Sequence, residues 1–210
     1  MQYGRIILFL IGVFLWGSAF SAHAAAVRSV PFTSQAPFGN WDYPWQEFCE
    51  EASVVMAAHF IWNAPLVPHV ADLEMQLIKK YEKLVFGQYK NTSVDETALI
   101  LRDLYGFKNV STKKITSLAD IKKEIAAGNI AIVPAAGVLL KNPYFTSPPR
   151  YHMLVVYGFD DARGVFITND PGTRRGKGLE YTQSVLFPAI RDWNNGDVMH
   201  GAKKIIVVGN

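Results

Sequence analysis

Apolar side chains in the first half of the chain recur at helical spacing. From 49 to about 62 they fall at Ala52, Val55, Met56 and Phe60, and Pro65 ends the run. Residues 71–85 repeat the pattern through Leu73, Leu77, Ile78 and Tyr81. Ser93 followed by Glu96 forms a capping box ahead of Leu99, Leu101 and Leu104, with Gly106 as terminator. Ser117 and Asp120 open a fourth helix carrying Ile121 and Ile125, closed by Gly128. Beyond this point the period changes. Residues 129–134 are a short buried run, and 151–159 and 164–169 are two strands joined by Asp160-Asp161-Ala162-Arg163, a hairpin turn. A last helix is predicted over 182–193 and a last strand over 202–208. Helices first and antiparallel strands second define an α+β class.

Two segments lie outside these periods. Residues 27–48 hold Pro31, Pro37, Gly39, Trp41, Tyr43, Pro44 and Trp45, a composition that denies a helix but offers apolar surface, as in an extended arm packed across a domain. Residues 136–150, with Pro143, Pro148 and Pro149, form a long loop leading into His152, and loops of that length in compact domains are often functional.

Composition narrows the class. Arg5, the apolar stretch 6–15 and Ala22-His23-Ala24 have the pattern of a cleaved secretory signal over 1–24, with an uncleaved anchor as the alternative. No later segment is long and apolar enough to span a bilayer, so the expectation is a secreted or periplasmic protein, off the membrane once cleaved. Residues 25–210 are then a single domain of about 185 residues with a real core. Half the residues are hydrophobic and 13% aromatic, which excludes a disordered chain. A formal charge of +3 is too small to imply a nucleic-acid partner. Arg174, Arg175 and Lys177 form one basic cluster, read as a solvated loop or as a device steering an acidic ligand.

Candidate chemistry centres on Cys49, the one cysteine of the chain. It has no partner for an internal disulfide, so it is either a buried small hydrophobe or a nucleophile. At the start of a helix it would feel the positive end of the dipole, which favours thiolate, whereas Glu50 and Glu51 oppose it. Activation must then rest mainly on a histidine. His152 heads one strand of the hairpin and Asp170 follows the other. A turn centred between Ala162 and Arg163 makes paired residues sum to about 325, and a one-residue bulge brings His152 nearer Asp170, or Asn169. Such an acid or amide fixes the tautomer of an imidazole, the third role in a nucleophile–base–orienter set. Gln35 and Gln46 are candidates for the side-chain oxyanion donor beside the Cys49 backbone N–H. Each residue also has a plain reading: core cysteine, strand-capping histidine, turn aspartate. His59, His69 and His200 lack ligand-like spacing, and neither a metal nor an organic cofactor is expected.

VPFTSQAPFGNW, CEEAS with VVMAAHF, YHMLVVYGFDD and FITNDPGTRRG together resemble the exported bacterial cysteine peptidases of the bacteriocin-processing, double-glycine-leader type, peptidase family thirty-nine. The resemblance runs from about Val30 to Trp193. It implies a papain-like fold with Cys49 as nucleophile, His152 as general base, Asp170 as orienter and Gln35 as oxyanion donor. Transporter-attached members carry Cys-Gly and a nearby upstream Gln, whereas Cys49 precedes Glu50 here and Gln46 is closer than Gln35. The resulting expectation is a monomeric peptidase acting on peptide or isopeptide bonds in a peptide or protein, through a thioester. Its cleft would be bordered by Trp41, Tyr43, Trp45, Tyr144 and Phe145. The alternatives are a transglutaminase or amidase using the same triad, and a peptide-binding module without turnover.

Overall fold

A computed structural model describes residues 24–26 and 29–209. Most of the expected signal segment lies outside these residues; its last position, Ala24, is the first of strand β1 (Ala24–Ala26). The helices follow the pattern closely. They are α1 (Cys49–Trp62), α2 (Pro68–Val85), α3 (Val94–Leu99) and α4 (Leu118–Ala126). Both capping boxes form, and α3 runs on through a π-type turn over Ile100–Leu104. Helix α2 starts three residues earlier than predicted, because Pro68 suits a first-turn position where no N–H is needed.

The strands β2 (Val110–Lys114), β3 (Ile130–Ala135), β4 (His152–Asp160), β5 (Val165–Asn169), β6 (Lys177–Thr182) and β7 (Lys204–Val208) form one antiparallel sheet in the order β2-β7-β3-β4-β5-β6. Strand β1 continues the edge of β4 beyond β3, pairing Ala24 with Asp160. Three strands are absent from the sequence reading, β1, β2 and β6, and the last two are the ends of the six-strand path. Their sequences VSTKK and KGLEYT are largely solvated, and charged residues on edge strands blur the alternating signal while discouraging further pairing.

The central strands are apolar throughout because both faces are covered. Ile130, Ile132, Met153, Val155, Ile206 and Val208 lie on the face covered by α1 and α3. Ala131, Val133, Leu154, Val156, Ile205 and Val207 face α4 and helix α5 (Gln183–Ala189). The predicted 182–193 helix is therefore shorter than expected. Pro188 lies in its last turn, and Ile190 is extended and bridges Ala135 at the end of β3. Helix α1 is buried on every side from Cys49 to Phe60, held between the sheet and α2. The arm packs as predicted. Asn169 Nδ2 donates to the Val30 carbonyl at 3.1 Å, and the Gln35 backbone N–H donates to Pro171 O at 2.9 Å.

Candidate active site

Cys49 is the first residue of α1, with Trp45–Glu47 as a single 3-10 turn just before it. The sulfur is largely covered, the residue being 7% exposed. Its hydrogen donates to Glu50 Oε2 at 2.9 Å. Burial, then the charge and hydrogen bond of Glu50, push the thiol well above its ordinary range, while the Met153 backbone N–H pulls the other way. Burial and Glu50 thus favour the neutral thiol. The helix terminus alone does not ionise it, as anticipated from the two glutamates that follow. Glu50 is itself raised to about 7, chiefly by burial, so the thiol and the neighbouring carboxyl sit on one buried proton-bearing patch.

His152 opens β4 and is 1% exposed. Its Nε2 meets Asp170 Oδ1 at 2.7 Å. The hairpin explains this. Phe159 pairs with Phe166 and Gly158 with Ile167, summing to 325, and a bulge between Val156 and Gly158 shifts Val156 onto Thr168. Continued from there, the register puts Gly172 across from His152 and Asp170 on the diagonal, within reach of a long side chain. A Cβ at Gly172 would lie 2.8 Å from His152 Cε1 and 2.8 Å from Phe145 Cε1, so only glycine leaves room for the two rings. Phe145 holds the imidazole edge-on, with centroids 5.4 Å apart at 87°.

Asp170 is fully buried and fully partnered. Oδ1 accepts from the Gly172 amide at 2.9 Å. Oδ2 accepts from Asn142 Nδ2 at 3.0 Å and Tyr181 OH at 2.6 Å. Burial acts to raise this carboxyl, but the His152 charge and these hydrogen bonds outweigh it and hold the group below the usual carboxylate range. A fixed anion on Nε2 makes that nitrogen the N–H and leaves Nδ1 with the free lone pair. Asn142 and Tyr181 escaped the sequence reading as partners of Asp170. Asn142 belongs to the long loop singled out there, whereas Tyr181 sits on the unrecognised edge strand β6.

Cys49, His152 and Gln35 line one cleft of about 530 Å³ together with Gln46, Trp41 and Phe145. Gln35 is buried and Gln46 exposed. Gln35 Nε2 donates one hydrogen to Trp45 O at 3.0 Å, which fixes the amide and leaves a second N–H. Two of the aromatic assignments, Trp45 and Tyr43, need correction. The Trp45 indole turns away, donating to Asp72 on α2 at 2.6 Å. Tyr43 stands outside the cleft, edge-on to Tyr89 and under Lys90. Tyr144 lines an adjoining pocket of about 560 Å³ that shares Trp41, Phe145 and Gly172 with the cleft. Among the described residues no group of three or more His, Cys, Asp or Glu is placed to hold a metal ion.

The architecture matches that of a solved structure assigned to the C39-like peptidases, from Bacillus anthracis. The TM-score is 0.60 at 12% identity, covering 90% of this chain and 98% of that one. At that identity the likeness shows the fold, an α+β arrangement of the papain-like kind. None of the curated proteins matches. The Peptidase_C39 like family model matches residues 27–195, spanning the arm, α1, the hairpin and both of its flanking loops; the chain belongs to this family.

Proposed function

We propose that the protein is an exported cysteine peptidase that hydrolyses peptide or isopeptide bonds through a thioester on Cys49. One observation carries the reading: Cys49, Gln35 and His152 share one cleft, and Asp170 occupies the Nε2 side of His152 so that Nδ1 is left for the thiol. The thiol proton passes to Nδ1 as Sγ bonds to the scissile carbonyl carbon. The oxyanion accepts from the Cys49 backbone N–H and the second N–H of Gln35. The imidazolium then gives its proton to the leaving nitrogen, the C–N bond breaks, and a thioester remains. Water loses a proton to His152 and attacks, the C–S bond breaks, and the sulfur recovers its proton. Asp170 stabilises the imidazolium formed in each half. Gln35 is favoured over Gln46 because it is buried and already anchored. Export rests on the signal pattern over 1–24.

A peptide library digested by wild type and by Cys49→Ala, read by mass spectrometry, tests this. New termini with wild type alone are expected. Cleavage that survives Cys49→Ala would refute it, and stable incorporation of a labelled amine that outruns hydrolysis would make the enzyme a transferase.

A further inference from the structure

We infer that the pocket beside the nucleophile is a subsite for a carboxylate of the substrate, held by Arg174 and Arg175. The inference rests on the peptidase reading and names its substrate class. The pocket, about 560 Å³, opens from the cleft through shared walls at Trp41, Phe145 and Gly172. Its far side is formed by Tyr144 and by two consecutive guanidinium groups. Each is held in place by something other than an acid. The Arg175 guanidinium lies over the Tyr144 ring, 5.3 Å from the centroid. Arg174 crosses the backbone at Gly39, where a Cβ would fall 1.4 Å from its Nη2, and donates to Phe38 O at 3.5 Å.

Among the described residues no carboxylate forms an ion pair with either arginine. Arg163, in the β4–β5 turn at the opposite end of β5, shows the contrast. It is neutralised by Asp160 at 2.8 Å and by Glu180 at 2.7 Å. The acids of the cleft, Glu47 and Glu50, lie on the Cys49 side and do not line the pocket. The cleft thus carries Arg150 together with Glu47 and Glu50, whereas the pocket carries two arginines and no acid. A guanidinium oriented by a ring or a carbonyl keeps its remaining N–H groups in a fixed fork that suits a carboxylate. The loop carrying both arginines starts at Asp170, so a ligand held there is in register with the base.

The carboxylate is either an Asp or Glu side chain or the free C-terminus of the substrate. Binding separates these without requiring turnover. Fluorescent peptide libraries with randomised flanks are titrated against full-length Cys49→Ala in three forms: a fixed Glu with an amidated end, a fixed Gln with a free end, and a fixed Gln with an amidated end. At least one carboxylate form is expected to bind about tenfold more tightly than the neutral form, and whichever does so identifies the source. Adding Arg174→Gln and Arg175→Gln should remove most of that preference. No preference for a carboxylate, or a preference that survives both substitutions, overturns the inference. Wild-type cleavage of the same libraries is read separately. Cleavage without carboxylate preference leaves the peptidase and removes the subsite, whereas preference without cleavage does the reverse.

Discussion

At the scale of single residues, the site turns on where one proton rests. The Cys49 thiol points to Glu50 in the resting arrangement, and its ionisation is opposed first by burial and then by that carboxyl. Glu50, raised to about 7, loses its proton across neutral pH and from there upward opposes the thiolate with a full charge. Glu50→Gln keeps the shape and deletes the charge. Iodoacetamide should then alkylate Cys49 several-fold faster at pH 7.5 than in wild type. Unchanged or slower alkylation would show that Glu50 does not restrain the sulfur. Residue identity made Cys49, His152 and Asp170 legible as candidates from the sequence. The direction of the thiol shift was only half legible. The adjacent acids could be read, but the burial that dominates comes from tertiary packing of α1 on the sheet.

At the scale of elements, α1 and α2 meet across a buried acidic contact. Glu51 on α1 and Glu82 on α2 are both fully covered, and burial followed by neighbouring acids raises both carboxyls, Glu82 to about 9. A folded-state value above the unfolded one means the native state holds the proton more tightly. The resulting stability is complete below about pH 4.5, the unfolded value, and is lost as pH rises towards 9. Unfolding free energy should therefore fall by a few kcal/mol between pH 5 and pH 9, read as a falling melting temperature, and Glu82→Gln should flatten the slope. A slope as steep in Glu82→Gln would assign it to other groups. Element legibility follows burial in the same way. Strands covered on both faces, such as β3 and β4, read as apolar runs and were found within a residue or two of their ends. The solvated edges β2 and β6 carry Lys, Glu and Gly and were missed. With β6 went Tyr181, and hence the reason Asp170 is fully partnered.

For the molecule as a whole, the site exists only because distant segments are tied together. The arm is 139 residues from β5 in sequence, yet Asn169 Nδ2 clamps Val30 O at 3.1 Å and Pro31 O at 3.3 Å. Gln35 lies just beyond that clamp. Asn169→Ala should cost about 1–2 kcal/mol of stability and lower kcat/KM more than it raises KM, because the amide donor is set by the arm. If kcat is untouched while the protein is destabilised, the arm is packing alone. Its aromatic composition announced that the arm would pack. Which rings border the cleft was not legible, since Trp45 is drawn off by Asp72 and Tyr43 by Tyr89.

The proposed cycle passes through a covalent intermediate on Cys49. Wild-type protein mixed with a cleavable peptide, quenched in acid within the first turnover and digested, gives the mass of the fragment containing Cys49. An acyl adduct is expected on that fragment, absent from Cys49→Ala and strongly reduced in His152→Ala. Peptide hydrolysis without an adduct, and undiminished in Cys49→Ala, would contradict that cycle.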